Sequence, residues 1–122
     1  MANPVNWFEI PVTDMARAKK FYNSVFDCTF QDMNTENMEY ATIQGDMNTY
    51  GAAGALAKSE GMQPSKCGSV VYFSTPDLTG QLEKIKKAGG KVLVPKTSIG
   101  EHGYIAQFLD TEGNRVAMHS ME

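Results

Sequence analysis

The stretch WFEIPVTDMARAKKFY, residues 7–22, decides the fold. Its first part alternates. Phe8, Ile10 and Val12 share one face of a strand, and Trp7, Glu9 and Pro11 share the other, the period-two pattern of a half-buried β-strand. Asp14 then stands where an N-cap carboxylate can accept from the free amides of a first helical turn. Beyond it, Met15, Ala18, Tyr22, Val25 and Phe26 recur near helical spacing while Arg17, Lys19 and Lys20 fall on the wet face. The spacing predicts a helix from Met15 to about Phe26.

CTFQDM, MEYATIQ and YGAAGALA follow as three short strands, separated by polar turns such as Asn34-Thr35-Glu36-Asn37 and Gly45-Asp46. SEGMQPSK, residues 59–66, reads as a linker, and after it the order restarts. CGSVVYFS is a strand, Asp77 sits at a cap position, and Leu78, Leu82, Ile85 and Ala88 line one side of a helix stopped by Gly89-Gly90. KVLVPK, GYIAQFLD and NRVAMHS supply three more strands, the last two joined by Thr111-Glu112-Gly113. Asp14 and Asp77 lie 63 positions apart, and setting one on the other aligns strand with strand and helix with helix. Neither half can cover its own sheet face alone. One domain over 1–122 is expected, with modules 1–58 and 67–122: an α+β fold of two βαβββ units forming a curved mixed sheet, helices on the convex face and the concave face open to a ligand.

Composition narrows the functional classes. A chain of 122 residues with 42% hydrophobic and 20% charged residues fits one soluble globular domain. Its net charge of −3, with basic residues scattered and Lys84, Lys86 and Lys87 reading as a wet helix face, excludes a nucleic-acid partner. No run approaches the roughly 20 apolar residues that span a bilayer, so no membrane partner is expected. MANPVNWF lacks the basic and apolar regions of a signal peptide, and Cys28 and Cys67 read as free thiols. A cytoplasmic location follows.

FEIPVTDMARAKKFYNSVFD resembles the first strand, V-x-D cap and FY helix of the vicinal oxygen chelate superfamily, which includes glyoxalase I, bleomycin-resistance proteins and extradiol dioxygenases. FLDTEGNRVAMHSM is similar to that superfamily's closing hairpin, where an acidic-Gly-Asn turn precedes the last strand. The resemblance covers nearly the whole chain and points to a branch of small glyoxalase-like proteins. It implies the glyoxalase-like fold. For active members it also implies a divalent metal held from up to four strand positions, because a Lewis acid must polarise substrate oxygens while keeping coordination sites open. Carried onto this chain, those positions fall on Trp7, on Val70 (Ser69 with a one-residue slip), on Ala117, and near Gly54 to Leu56. None offers a usable ligand, so neither metal nor cofactor is expected. The family often has Gly after the FYxxVF run; here Asp27 takes its place, at a small cost in stability.

The expected concave face carries the candidate residues. Trp7 either fills the space a metal would take or stacks on a planar ligand. Glu9 is either a base of raised pKa or the ion-pair partner of Arg115. Tyr72, its repeat counterpart, donates to a ligand or to a backbone carbonyl. His119 shares the face of Ala117 and suits proton transfer, and His102 lies in a rim loop, SIGEHGY. A Cys67–His119 nucleophilic pair rests on residue type alone. Met33, Met38, Met47 and Met62 read as filler or as an adaptable lining. Loops 45–50 and 97–104 are expected at the rim.

The leading expectation is a metal-free cup that binds an aromatic or amphipathic small molecule through Trp7, Glu9, Tyr72, His102, Arg115 and His119. A homodimer is expected because short chains of the resembled family build their cups from modules of two subunits. Two helices also cannot cover eight strands. Three rivals stand beside it: a glyoxalase- or dioxygenase-type metalloenzyme with displaced ligands such as Glu9 and His119, a cofactor-free isomerase with Glu9 or His119 as base, and an interaction module whose cup is filled by its own side chains.

Overall fold

The computed structural model describes residues 3–45 and 51–122. Strand β1 (Trp7–Pro11) leads into helix α1 (Met15–Phe26), which begins where Asp14 Oδ1 accepts the Arg17 amide at 3.1 Å. Asp27 ends the helix in the left-handed conformation at φ 56°, the place the sequence reading gave it. Strands β2 (Phe30–Asp32), β3 (Glu39–Ile43) and β4 (Ala53–Lys58) complete the first unit in the order β1-β4-β3-β2, with β4 parallel to β1 and the others antiparallel. The second unit repeats it. It runs β5 (Tyr72–Ser74), α2 (Leu78–Lys87, capped by Asp77), β6 (Lys91–Ser98), β7 (Tyr104–Leu109) and β8 (Arg115–Ser120), ordered β5-β8-β7-β6. Equivalent backbone bonds mark the repeat: Val12 N donates to Ala57 O, and Thr75 N donates to His119 O.

The eight strands form two mixed four-stranded sheets, one per βαβββ unit, as the α+β glyoxalase-like expectation requires, and among the described residues no ladder joins them. Both β1 and β5 are edge strands, and Phe8 meets Phe73 there edge-on with ring centroids 5.9 Å apart. A shared core unites the units instead. Phe21, Tyr22 and Val25 of α1 belong to one cluster with Leu78 and Ile85 of α2 and Phe108, Val116 and Met118 of the second sheet. Burial of each large side chain there contributes about 2–3 kcal/mol. Phe21, 1% exposed, belongs to the buried stripe that the sequence reading assigned to its neighbours, and Phe26 is only half-buried.

A polar clasp completes the union. The turn Asp110–Asn114 closes the second unit but bonds to the first: Asn114 Nδ2 donates to Pro11 O at 2.7 Å, and Tyr22 Oη donates to Asp110 Oδ2 at 2.7 Å. Glu112 Oε1 accepts from the amides of Thr13 and Asp14 at 2.7 and 2.8 Å, while its Oε2 lies 2.6 Å from Arg17 Nε. Glu112 thus caps α1 from the other module. Segment 59–66 is tied at Ser65, whose amide donates to Asn114 Oδ1 at 3.1 Å. Among the described residues no helix is long and apolar enough to cross a membrane.

Candidate functional site

The sheet face away from the core carries the candidate residues. Ladder register sets Ala53, Ala55 and Ala57 beside Trp7, Glu9 and Pro11, with Tyr40 and Thr42 beside Ala57 and Ala55. These alanines leave room above β4, and larger neighbours lean into it. Trp7 Nε1 donates to Tyr40 Oη at 3.0 Å, and Tyr40 Oη donates to Glu9 Oε2 at 2.6 Å. Burial and the bond to Glu9 raise the Tyr40 pKa, against a smaller lowering by Trp7, so the phenol keeps its proton and remains the donor. Trp7 stays 38% exposed, which leaves its ring available to a ligand.

The second module builds a matching relay on the equivalent face. Arg115 Nη1 donates to Gln107 Oε1 at 2.7 Å, and Gln107 Nε2 reaches Tyr72 Oη at 3.5 Å. Ala117 lies between them, paired with both Tyr72 and Gln107. Tyr72 is 48% exposed, so its ring too faces outward. His119 sits opposite Ser74 and Ile105, and its Nε2 contacts the His102 carbonyl at 2.6 Å. Because a carbonyl only accepts, Nε2 is the donor in that contact.

Glu9 and Arg115 are not an ion pair, contrary to one sequence expectation. Glu9 is held by Tyr40, whereas Arg115 reaches Gln107 and, through Nε, the Lys66 carbonyl at 3.1 Å. Arg115 opens β8 beside the linker, which supplies a nearer acceptor than the other sheet. The exposed His102 side chain does not meet His119, since only its backbone oxygen does. Cys67 is exposed, and its amide bonds to Ser65 Oγ; no contact joins it to His119 among the described residues. Met33 is 55% exposed, not filler, whereas Met38 and Met62 are half-buried. Met47 and the rim segment 46–50 lie outside the described residues. Tyr40 and Gln107 were missed by sequence reasoning. Their signal was present: each is a polar, strand-borne side chain flanked across the ladder by alanine.

Ala55 pairs with Glu9 and Ala117 with Tyr72, so the two late-strand ligand positions are repeat equivalents and both are alanine. Trp7 and Val70 occupy the early positions. This set has no metal-donor oxygen, sulfur or imidazole nitrogen, and among the described residues no three His, Cys, Asp or Glu side chains cluster. The residues present do not fit the group, and no chemical step is derived through it.

Paired βαβββ modules with a relay-lined open face define an α+β protein of glyoxalase-like architecture. Residues 5–118 match the family described as Glyoxalase/Bleomycin resistance protein/Dioxygenase superfamily, and the chain belongs to it. A glyoxylase-like domain-containing protein from Didymella fabae is 35% identical over 120 residues, covering 93% of this chain and 91% of that protein. Among solved structures, a glyoxalase I variant from Zea mays superposes with TM-score 0.78 at 22% identity over 97% of this chain, which spans 46% of the maize chain. TnmS3, an antibiotic binding protein from Streptomyces sp. CB03234, superposes with TM-score 0.68 at 21% identity, covering 98% of this chain and 96% of its own. At such identities the two structures establish shared fold alone.

Proposed function

We propose that this protein is a metal-free binder of small molecules, holding an aromatic or amphipathic ligand against its open sheet face. The carrying observation is the Trp7–Tyr40–Glu9 relay. It places an exposed indole and a carboxylate side by side where the family's metal positions have lost their donors. An aromatic plane beside aligned acceptors binds a flat molecule that has a polar edge. The Tyr72–Gln107–Arg115 relay adds a second aromatic surface with a cation, suited to an anionic edge. A homodimer is part of this proposal: Val5, Trp7 and Tyr72 expose apolar surface that a second copy can cover. So is a reducing, cytoplasmic setting, which the free thiols Cys28 and Cys67 suit.

Trp7 is the only tryptophan, so its emission reports on the face directly. Tyr40→Phe removes both bonds of the relay; it is expected to cost about 1 kcal/mol of stability and to red-shift Trp7 emission. A metabolite that raises the melting temperature of the wild type is expected to quench Trp7 and to bind at least ~5-fold more weakly to Tyr40→Phe. Unchanged emission and affinity in that variant would remove the relay from the site. A separate measurement concerns the metal. Protein purified without chelator is expected to contain less than stoichiometric zinc, nickel, manganese and iron, and one bound ion per chain would overturn the metal-free reading.

A cofactor-free proton transfer has one observation in its favour, the His119 imidazole held in place through Nε2 by the His102 carbonyl. It predicts turnover of an identified ligand that His119→Gln abolishes while binding persists.

A further inference from the structure

We propose that the seam between the two modules is a second ligand site, for a planar aromatic molecule carrying one hydrogen-bond donor. A cavity of about 580 Å³ lies there, within the usual range for small-molecule sites. Three phenylalanines from separate elements form its aromatic wall: Phe8 of β1, Phe26 of α1 and Phe73 of β5. Phe26 and Phe73 stack at 4.4 Å with 19° between their planes, and Phe8 meets Phe73 edge-on. A further ring could extend such a stack. By strand alternation Phe8 points away from the face of Trp7 and Glu9, so this cavity reaches behind that face and meets the relay-lined site at Tyr72.

Gly54 sets the shape of the wall. A Cβ there would lie 2.6 Å from the Phe8 carbonyl oxygen and 2.7 Å from the Phe8 ring, so only glycine lets that ring lie over β4. The polar end comes from α2. Gln81 lines the cavity, and its side-chain amide is the hydrogen-bonding group that α2 offers there. A hydroxyl carried by a bound ring finds its partner in that amide. Cys28 forms part of the wall and supplies a chemical reporter. Burial, with the neighbouring Asp27 charge, pushes its thiol up to about 11, so it alkylates slowly and only when reached.

The test uses the full chain, labelled with ¹⁵N, and two probes of equal ring size, 2-naphthol and 2-methoxynaphthalene. 2-Naphthol is expected to shift the amide signals of Phe26, Cys28, Phe73 and Gln81 saturably while leaving Tyr40 and Gln107 unmoved. The methoxy probe, which lacks the donor, is expected to bind about 5–10-fold more weakly, the factor one net hydrogen bond supplies. Gln81→Leu should make the two probes equal. A fold-independent check needs only Cys67→Ser: 2-naphthol slows alkylation of Cys28. The proposal is overturned by shifts confined to Tyr40 and Gln107, by no saturable shift up to about 1 mM probe, or by equal affinities in the wild type.

Discussion

Asp110→Ala is expected to destabilise the fold by about 3–5 kcal/mol and to lower the melting temperature by roughly 10–20 °C. Asp110 is 4% exposed, and its two oxygens accept four bonds: from the amides of Glu112 and Asn114, each at 2.9 Å, from Tyr22 Oη at 2.7 Å and from Asn114 Nδ2 at 3.1 Å. Alanine leaves the Tyr22 hydroxyl unpaired in a fully buried position and frees the turn that reaches across to Pro11. Burial first, and then the Asp110 charge, hold the Tyr22 phenol well above its ordinary pKa, so it stays a donor wherever the protein is folded. Urea unfolding of Asp110→Ala, Tyr22→Phe and the double variant closes a cycle that is expected to show strong coupling. A loss below about 1 kcal/mol in Asp110→Ala would sink the claim that this turn joins the modules.

Glu112 is expected to make the protein acid-sensitive in a defined window. Its side chain is 0% exposed, and burial alone would raise its pKa. The Arg17 guanidinium, the amides of Asp14 and Thr13 and the Thr13 hydroxyl outweigh that and bring it to about 2, against an ordinary 4.5. A carboxylate depressed in the folded state stabilises fully above its unfolded pKa, and the contribution fades as pH falls through the folded value. Stability on the order of 2–3 kcal/mol should therefore be present at neutral pH and be lost between about pH 4.5 and 2. Glu112→Gln keeps the size and loses the charge. It is expected to be less stable by a similar amount at pH 7, with a flatter stability profile across that window. Parallel pH profiles for the two proteins would refute the assignment, and a gain in salt sensitivity is not expected because the carboxylate is covered.

These two residues show what kind of information the sequence held. The DTEGN turn was visible as a family-like hairpin joining two strands, and that much was right. Its reach across to Thr13, Asp14, Arg17 and Tyr22 was not legible, because those partners lie 88 to 99 positions away in the chain. The Glu9–Arg115 expectation failed for a related reason. Pairing two charges by shared face ignores nearer neutral partners, and Tyr40 and Gln107 took those places.

Periodicity and residue chemistry were enough to set the repeated strand, cap and helix and the facing of Trp7 and Glu9 against Phe8 and Ile10. Each depends on periodicity or residue chemistry, which are local. Tertiary structure alone decided that no ladder joins the two sheets among the described residues, that the open face is organised by two relays, and that three phenylalanines enclose a cavity at the seam. Those features arise where side chains distant in sequence compete for the same space and the same hydrogen bonds, and only the packed chain sets which of them meet.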